Sequence, residues 1–178
     1  MIRFYAGHPF RVATAALKTV FLAHVYYEYG IYPAPTKGAS MVPTFSVIDD
    51  HVLIDRSYRR GRNLQVGDVI SFDSVVGPGE RVIKRVVGLA GDYVVRGTPL
   101  PLGNNVDEAT GSMAMIQVPQ GHCWVVGDNL PYSRDSRHFG PLPMALIKGK
   151  VIAKVWPWEE RSWIGNGMEP VESESTST

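Results

Sequence analysis

The chain has 178 residues, close to one ordinary domain, and at 44% hydrophobic and 20% charged it can bury a real core. A wholly disordered or collagenous chain is excluded. With 18 basic against 17 acidic residues the net charge is +1, which gives no global claim on nucleic acid or acidic lipid, and the single cysteine, Cys123, excludes an intramolecular disulfide and a cysteine-built zinc site.

The first predicted element is a helix over Val12 to Tyr27, VATAALKTVFLAHVYY, mostly apolar but interrupted by Lys18 and His24 and followed at once by Glu28. It is shorter than the roughly 20 apolar residues of a comfortable membrane span. The reading is a membrane-associated helix within residues 1–36; the alternative is an amphipathic helix packed on a partner or on the body. Arg3, Arg11 and Lys18 precede any acid, so the positive-inside rule places the N-terminus on the positive side and the body opposite. Lys18 inside the apolar stretch and the lack of an A-x-A site following it argue against a cleaved signal peptide.

After Pro33 and Pro35 the period becomes strand-like. The predicted strands are His51–Asp55, Asp68–Asp73, Glu80–Val87, Asp92–Arg96, Met113–Val118, His122–Gly127 and Lys148–Trp156. They are short, rich in Val and Ile, and separated by Gly, Pro, Asn and Asp. No helical pattern lies between them, so the expected body, residues 37–160, is mostly β, antiparallel and partly closed. Gly97–Gly111 reads as an exposed hairpin or loop. The end of the chain, 161–178, reads as a disordered tail, since Gly165–Thr178 carries three Glu and no basic residue.

Three segments hold candidate chemistry. In ERVIKRVVG, alternation puts Val82, Lys84 and Val86 on one face and Arg81, Ile83, Arg85 and Val87 on the other. A lysine flanked by valines is desolvated, its pKa falls, and a lysine neutral near pH 7 serves as a general base. The alternative is a lysine snorkelling from a sheet edge or paired with a carboxylate. In GASMVPT, Ser40 lies between Gly38 and Pro43, residues that allow close backbone approach and restrict the turn. A nucleophilic serine needs such a constrained turn with backbone N–H groups nearby, although a lone Ser near a Pro is ordinarily a turn. In GDNLPYSRDSRHFG, the opposite charges of Asp135 and Arg137 can clamp a strand-ending loop. His138 and Asp128 raise a Ser-His-Asp triad, against which the absence of a Gly-x-Ser-x-Gly elbow stands. The five histidines show no metal spacing, so no metal or other cofactor is expected.

In order, SMVPT, GDVISF, KRVVGLAGD and GDNLPYSRDSRHFG resemble the type I signal peptidase family, whose members use a Ser/Lys dyad; the resemblance runs from Gly38 to Trp156. It implies a signal-peptidase-like antiparallel β-fold behind an N-terminal membrane-associated helix. It also implies a role for each matching residue: Ser40 the nucleophile, Lys84 the general base, Ser133 a hydroxyl that hydrogen-bonds and orients the lysine, Asp135 and Arg137 a salt-bridged pair holding the site. Asp128 and Asn129 match a structural Gly-Asp-Asn turn, and Met41 and Pro43 match residues shaping the nucleophile turn. Gly38 is a departure, since some bacterial relatives carry there a serine that donates to the oxyanion. The short stretch between Asp92 and Gly121 is another, leaving little room for the second domain of some bacterial members.

Within the family, LAHVYYEYG, Asn129, Arg137 and the ending LPMALIKGKVIAKVWP resemble the mitochondrial inner-membrane members, and one of their two catalytic subunits rather than the other. The resemblance thus implies a membrane-bound serine endopeptidase facing the intermembrane space. Its substrates would be presequence-bearing proteins, its partner the second catalytic subunit, and it would have no nucleic-acid partner. The rivals are a bacterial-type or endoplasmic-reticulum signal peptidase, the latter generally with His in place of the lysine, a self-cleaving repressor, and a non-catalytic stabilising subunit. Residues 1–36 are too few and too apolar for a repressor's DNA-binding module, and intact Ser40 and Lys84 argue against a scaffold.

Overall fold

A computed structural model describes residues 9–96 and 115–166. The predicted loop Gly97–Gly111 and the tail after residue 166 lie outside them.

Helix α1 spans Pro9–Tyr29, starting at a proline, whose fixed φ and missing N–H suit a first turn. It buries none of its residues; Phe10, Leu17, Phe21 and Leu22 all face outward. No helix among the described residues is long and apolar enough to cross a membrane. The C-terminal end of α1 docks on an arginine-rich turn. Arg59 pairs with Glu28 at 2.7 Å, and Arg56 lies over the rings of Tyr27 (4.7 Å) and Tyr32 (4.4 Å) while donating to the Tyr27 carbonyl. Cations at that end complement the helix dipole.

The body is an antiparallel sheet. Its strands are β1 (Ile31–Pro35), β2 (His51–Asp55), β3 (Val69–Asp73), β4 (Arg81–Gly88), β7 (His122–Val126), β8 (Leu142–Pro143) and β9 (Ile147–Trp156), in spatial order β1-β2-β9-β3-β4-β7-β8. A short β10 (Ser162–Trp163) adds to β9, and β5 (Tyr93–Val95) pairs with β6 (Met115–Gln117) as a separate ribbon. All seven predicted strands are present, each end within two residues of its expected place. Three further strands were not expected. β1 carries Pro33 and Pro35, which read as breakers but are tolerated on an edge strand, where a missing N–H costs no ladder bond. Its pairing with β2, Ile31 opposite Asp55, makes residues 31–35 part of the sheet rather than of the N-terminal helical segment. β8 and β10 are two residues each, too short for a period to register, and β10 carries the sheet past residue 160.

Two buried clusters hold the sheet. One gathers Ile70, Phe72, Val86, Cys123, Val125, Leu142 and Ile147; the other gathers Met41, Phe45, Val52, Ile54, Val69 and Val151. Met41 and Phe45 in the second cluster anchor the connection between β1 and β2, each contributing about 1.5–3 kcal/mol by burial. That connection carries Ser40.

Candidate active site

Ser40 sits in a single 3-10 turn, Ala39–Met41. The turn is entered through Gly38 at φ +105°, a conformation that favours glycine, and the Gly38 N–H donates to the Val47 carbonyl at 2.8 Å. Buried Met41 roots the turn from below, and Pro43, after a cis peptide bond, lies on its exposed side. Asn129 grips it from across the site: its backbone N–H donates to the Ser40 carbonyl at 3.0 Å and its Nδ2 to the Ala39 carbonyl at 2.9 Å.

Strand β4 delivers Lys84 to the same point. The alternation holds, with Lys84 and Val86 buried and Arg81 and Val87 exposed. Lys84 is 2% exposed, and its Nζ lies 2.6 Å from Ser40 Oγ. Burial lowers its pKa from 10.5 to about 8, against the opposing pull of Asp135 and Asp128.

Both carboxylates are tied down. Asp128, just after β7, accepts from Arg85 Nε at 2.9 Å and Nη2 at 2.8 Å, and from the Thr44 hydroxyl. Burial pushes the Asp128 carboxyl up, but Arg85 and Thr44 outweigh it and hold it below the ordinary value. Asp128 thereby links β4 to the nucleophile loop. Asp135 is fully buried, paired with Arg137 through Nε–Oδ1 at 2.8 Å and Nη2–Oδ2 at 2.9 Å, and accepts the Gly127 N–H at 3.0 Å. Burial raises its carboxyl too, and Arg137 foremost reverses that. Arg137 Nη2 also donates to the Leu130 carbonyl at 2.7 Å, closing the loop 130–137.

Ser133 is buried at 4% exposure and its hydroxyl is directed to Asp135, which it helps hold below its ordinary value; no hydrogen bond to Lys84, the contact implied by the resemblance, is seen among the described residues. His138 is largely exposed, with Nδ1 4.0 Å from Asp135; Lys84, not His138, meets the Ser40 hydroxyl. Two clefts open on Ser40. One, of about 240 Å³, runs between Pro35–Gly38 and Glu80–Ile83; the other, of about 470 Å³, is lined by Val82, Lys84, Tyr132 and Phe139 among others.

Three residues that shape this site were not singled out by the sequence reading. Arg85 and Thr44 hold Asp128, and no spacing signals a pair separated by so much chain. Gly127 is the third. A Cβ there would lie 2.3 Å from Ser133 Oγ and 2.5 Å from the Ser40 carbonyl oxygen, so only glycine lets the two loops approach. Gly127→Ala is therefore expected to cut catalytic turnover by about 10- to 100-fold through displacement of both serines. Steady-state kinetics on the folded variant checks this, and turnover equal to the parent would contradict it.

The family model for signal peptidase, peptidase S26, matches residues 10–156. The chain belongs to the peptidase S26 signal peptidase family, and its antiparallel β body behind an N-terminal helix is of that type. Mitochondrial inner membrane protease subunit 1 of Schizosaccharomyces pombe is similar to it at 36% identity, across 93% of this chain and 98% of that protein. The protein of the same name from Saccharomyces cerevisiae is 34% identical, across 90% of this chain and 92% of that protein. A crystal structure of a signal peptidase I from Enterococcus faecalis V583 is 29% identical, covering 50% of this chain and 97% of that one with a TM-score of 0.38.

Proposed function

We propose that this chain is a catalytic subunit of a membrane-bound serine endopeptidase that removes sorting presequences from proteins delivered to the mitochondrial intermembrane space. The observation that carries the reading is the 2.6 Å contact between Ser40 Oγ and a buried Lys84 whose pKa is pulled to about 8. Neutral Lys84 takes the Ser40 proton as Oγ attacks the scissile carbonyl. The resulting ammonium gives that proton to the leaving amine, and Lys84 then deprotonates the water that hydrolyses the acyl-enzyme. With glycine at position 38, the oxyanion is left to backbone donors, the Ser40 N–H among them. The substrate enters extended, adding a strand in the cleft between Pro35–Gly38 and Glu80–Ile83. Asp135 and Arg137 fix the loop that carries Ser133, the hydroxyl that matches the family's lysine-orienting serine, and Asp128 and Asn129 hold the turn that Met41 and Pro43 shape.

The names of the similar yeast proteins support the location and a partner, the second catalytic subunit. Helix α1, its apolar side chains outward, is the membrane-associating element, and the body faces the intermembrane space. The test is to incubate the chain and its partner with a presequence-bearing precursor and to sequence the new N-terminus. A precursor left intact would reject the reading.

The base carries a pH signature. Below about 8 Lys84 is protonated and cannot act, so kcat/KM is expected to rise about tenfold per pH unit up to that value and then level. A pH profile checks it; an acid limb near the ordinary lysine value of about 10.4 would contradict activation by burial.

A further inference from the structure

The connection 36–50 that carries Ser40 is closed at its base by Asp50. The Asp50 carbonyl accepts the Thr36 N–H at 2.8 Å, and its Oδ2 accepts the Ser46 N–H at 2.7 Å. Asp50 is fully buried, its Oδ1 has no hydrogen-bond partner among the described residues, and its charge is met by Lys154 Nζ, 2.9 Å from Oδ2. Lys154 stands on β9, opposite Val52 of β2 and Ser162 of β10, with its side chain 6% exposed. The same ammonium reaches Glu160 Oε2 at 2.6 Å. From Glu160 the chain runs into β10, the Ile164 N–H donates to the Ile152 carbonyl at 2.9 Å, and Ile164 packs on the cluster containing Met41 and Phe45. Residues 158–164 lie beyond the stretch matched by the family model, yet they reach the nucleophile loop both through charge and through packing.

We propose that Asp50, Lys154 and Glu160 form a clamp by which the segment 158–164 fixes the nucleophile loop, making Lys154 a positioning residue for Ser40. The proposal rests on the reading of Ser40 as nucleophile. A buried carboxylate deprived of its cation protonates or draws in water, and either change loosens the base of the loop. Ser40 then drifts from Lys84 and the Pro35–Phe45 wall of the smaller cleft loosens with it, while the larger cleft, lined mostly from 72–84 and 132–139, stays in place. Asn129 still holds the turn from its other side, so the loss is partial.

The experiment compares Lys154→Met, Lys154→Arg and Glu160→Gln in the full chain with its partner, by steady-state kinetics and by amide hydrogen exchange. Lys154→Met is expected to lower kcat about 10- to 100-fold with a smaller rise in KM from the loosened Pro35–Gly38 wall, and to speed exchange in 36–50 but not in β3 and β4. Lys154→Arg, which keeps the charge, restores most of kcat, and Glu160→Gln, at the half-exposed end, costs about two- to fivefold. Unchanged kcat in Lys154→Met, or exchange that rises equally through β3 and β4, overturns the clamp. Should Lys154→Met not fold, Asp50→Asn with Lys154→Met removes both charges together, and Glu160→Gln, read by the same two measurements, decides for or against the clamp by itself. If the parent protein cleaves nothing, the proposed function falls, while the exchange measurement still decides the clamp.

Discussion

Lys84→Met is expected to abolish cleavage and, at the same time, to raise the melting temperature. Nucleophile and base act as a unit in serine proteases, so removing either costs about 10⁴- to 10⁶-fold in turnover. The gain in stability follows from the same burial that creates the base. Lys84 titrates at about 8 in the fold against 10.5 in a free chain. Between those values the unfolded state holds a proton that the folded state has shed, so stability rises with pH; below 8 both states are protonated and the whole penalty stands. A shift of this size corresponds to roughly 3 kcal/mol at neutral pH, which methionine among Val82 and Val86 removes. The stability difference between variant and parent shrinks as pH rises from 8 toward 10.5. Lys84→Arg fails in both respects, because arginine keeps its charge at any working pH. Ser40→Ala loses activity with no change in melting. Cleavage rates and pH-dependent melts decide; near-normal turnover by Ser40→Ala or Lys84→Met would remove the dyad from the mechanism.

Breaking the Asp135–Arg137 pair is expected to destabilise the fold by about 3–5 kcal/mol, because one charge is left buried without its partner. The side chains are 0% and 6% exposed, which separates this pair from surface ion pairs worth about 0–1 kcal/mol. Arg137→Ala strands the carboxylate and frees the Leu130 carbonyl that closes the loop, so it exceeds Asp135→Asn in effect. Both variants also lose activity, since Ser133 rides on the loop. Ser133→Ala, which leaves the buried ion pair in place, lowers activity with little change in melting. The Asp135 carboxyl is held below its ordinary value, so the contribution of the pair is present at neutral pH and disappears as the carboxyl protonates in acid. Melts of the three variants beside their cleavage rates test the contrast; an unchanged melt for Arg137→Ala with full activity would make the loop an ordinary surface turn.

Much of the fold was legible because the buried strands are Val- and Ile-rich and bounded by Gly, Pro, Asn and Asp. What stayed hidden obeys other rules. β1 is written in prolines and survives only at the edge, and β8 and β10 exist because a neighbour offers a ladder. In the site, alternation alone placed Lys84 on an apolar face. Bringing it to Ser40 took the resemblance of four ordered blocks, since period carries no information about which loop a strand faces. The partners of Asp128 and Asp50, namely Arg85 and Lys154, come from other strands of the sheet, and such pairs have no signature in sequence. Arg85 had been set on the opposite face of β4 from the base; it is there, and it holds the Gly-Asp-Asn turn from that side.

The position of β9 sets the order in which the machinery comes into being. Ser40 lies on the link between β1 and β2, and Lys84 lies on β4, hydrogen-bonded to β3. These two hairpins are not neighbours in the sheet; β9, made of residues 147–156, is the strand inserted between them. A chain still emerging from a ribosome or a translocation pore, with β9 not yet delivered, carries Ser40 and Lys84 on hairpins that no shared sheet joins. On the proposed dyad, hydrolysis is expected to begin only once residues 147–156 have joined the two hairpins into one sheet.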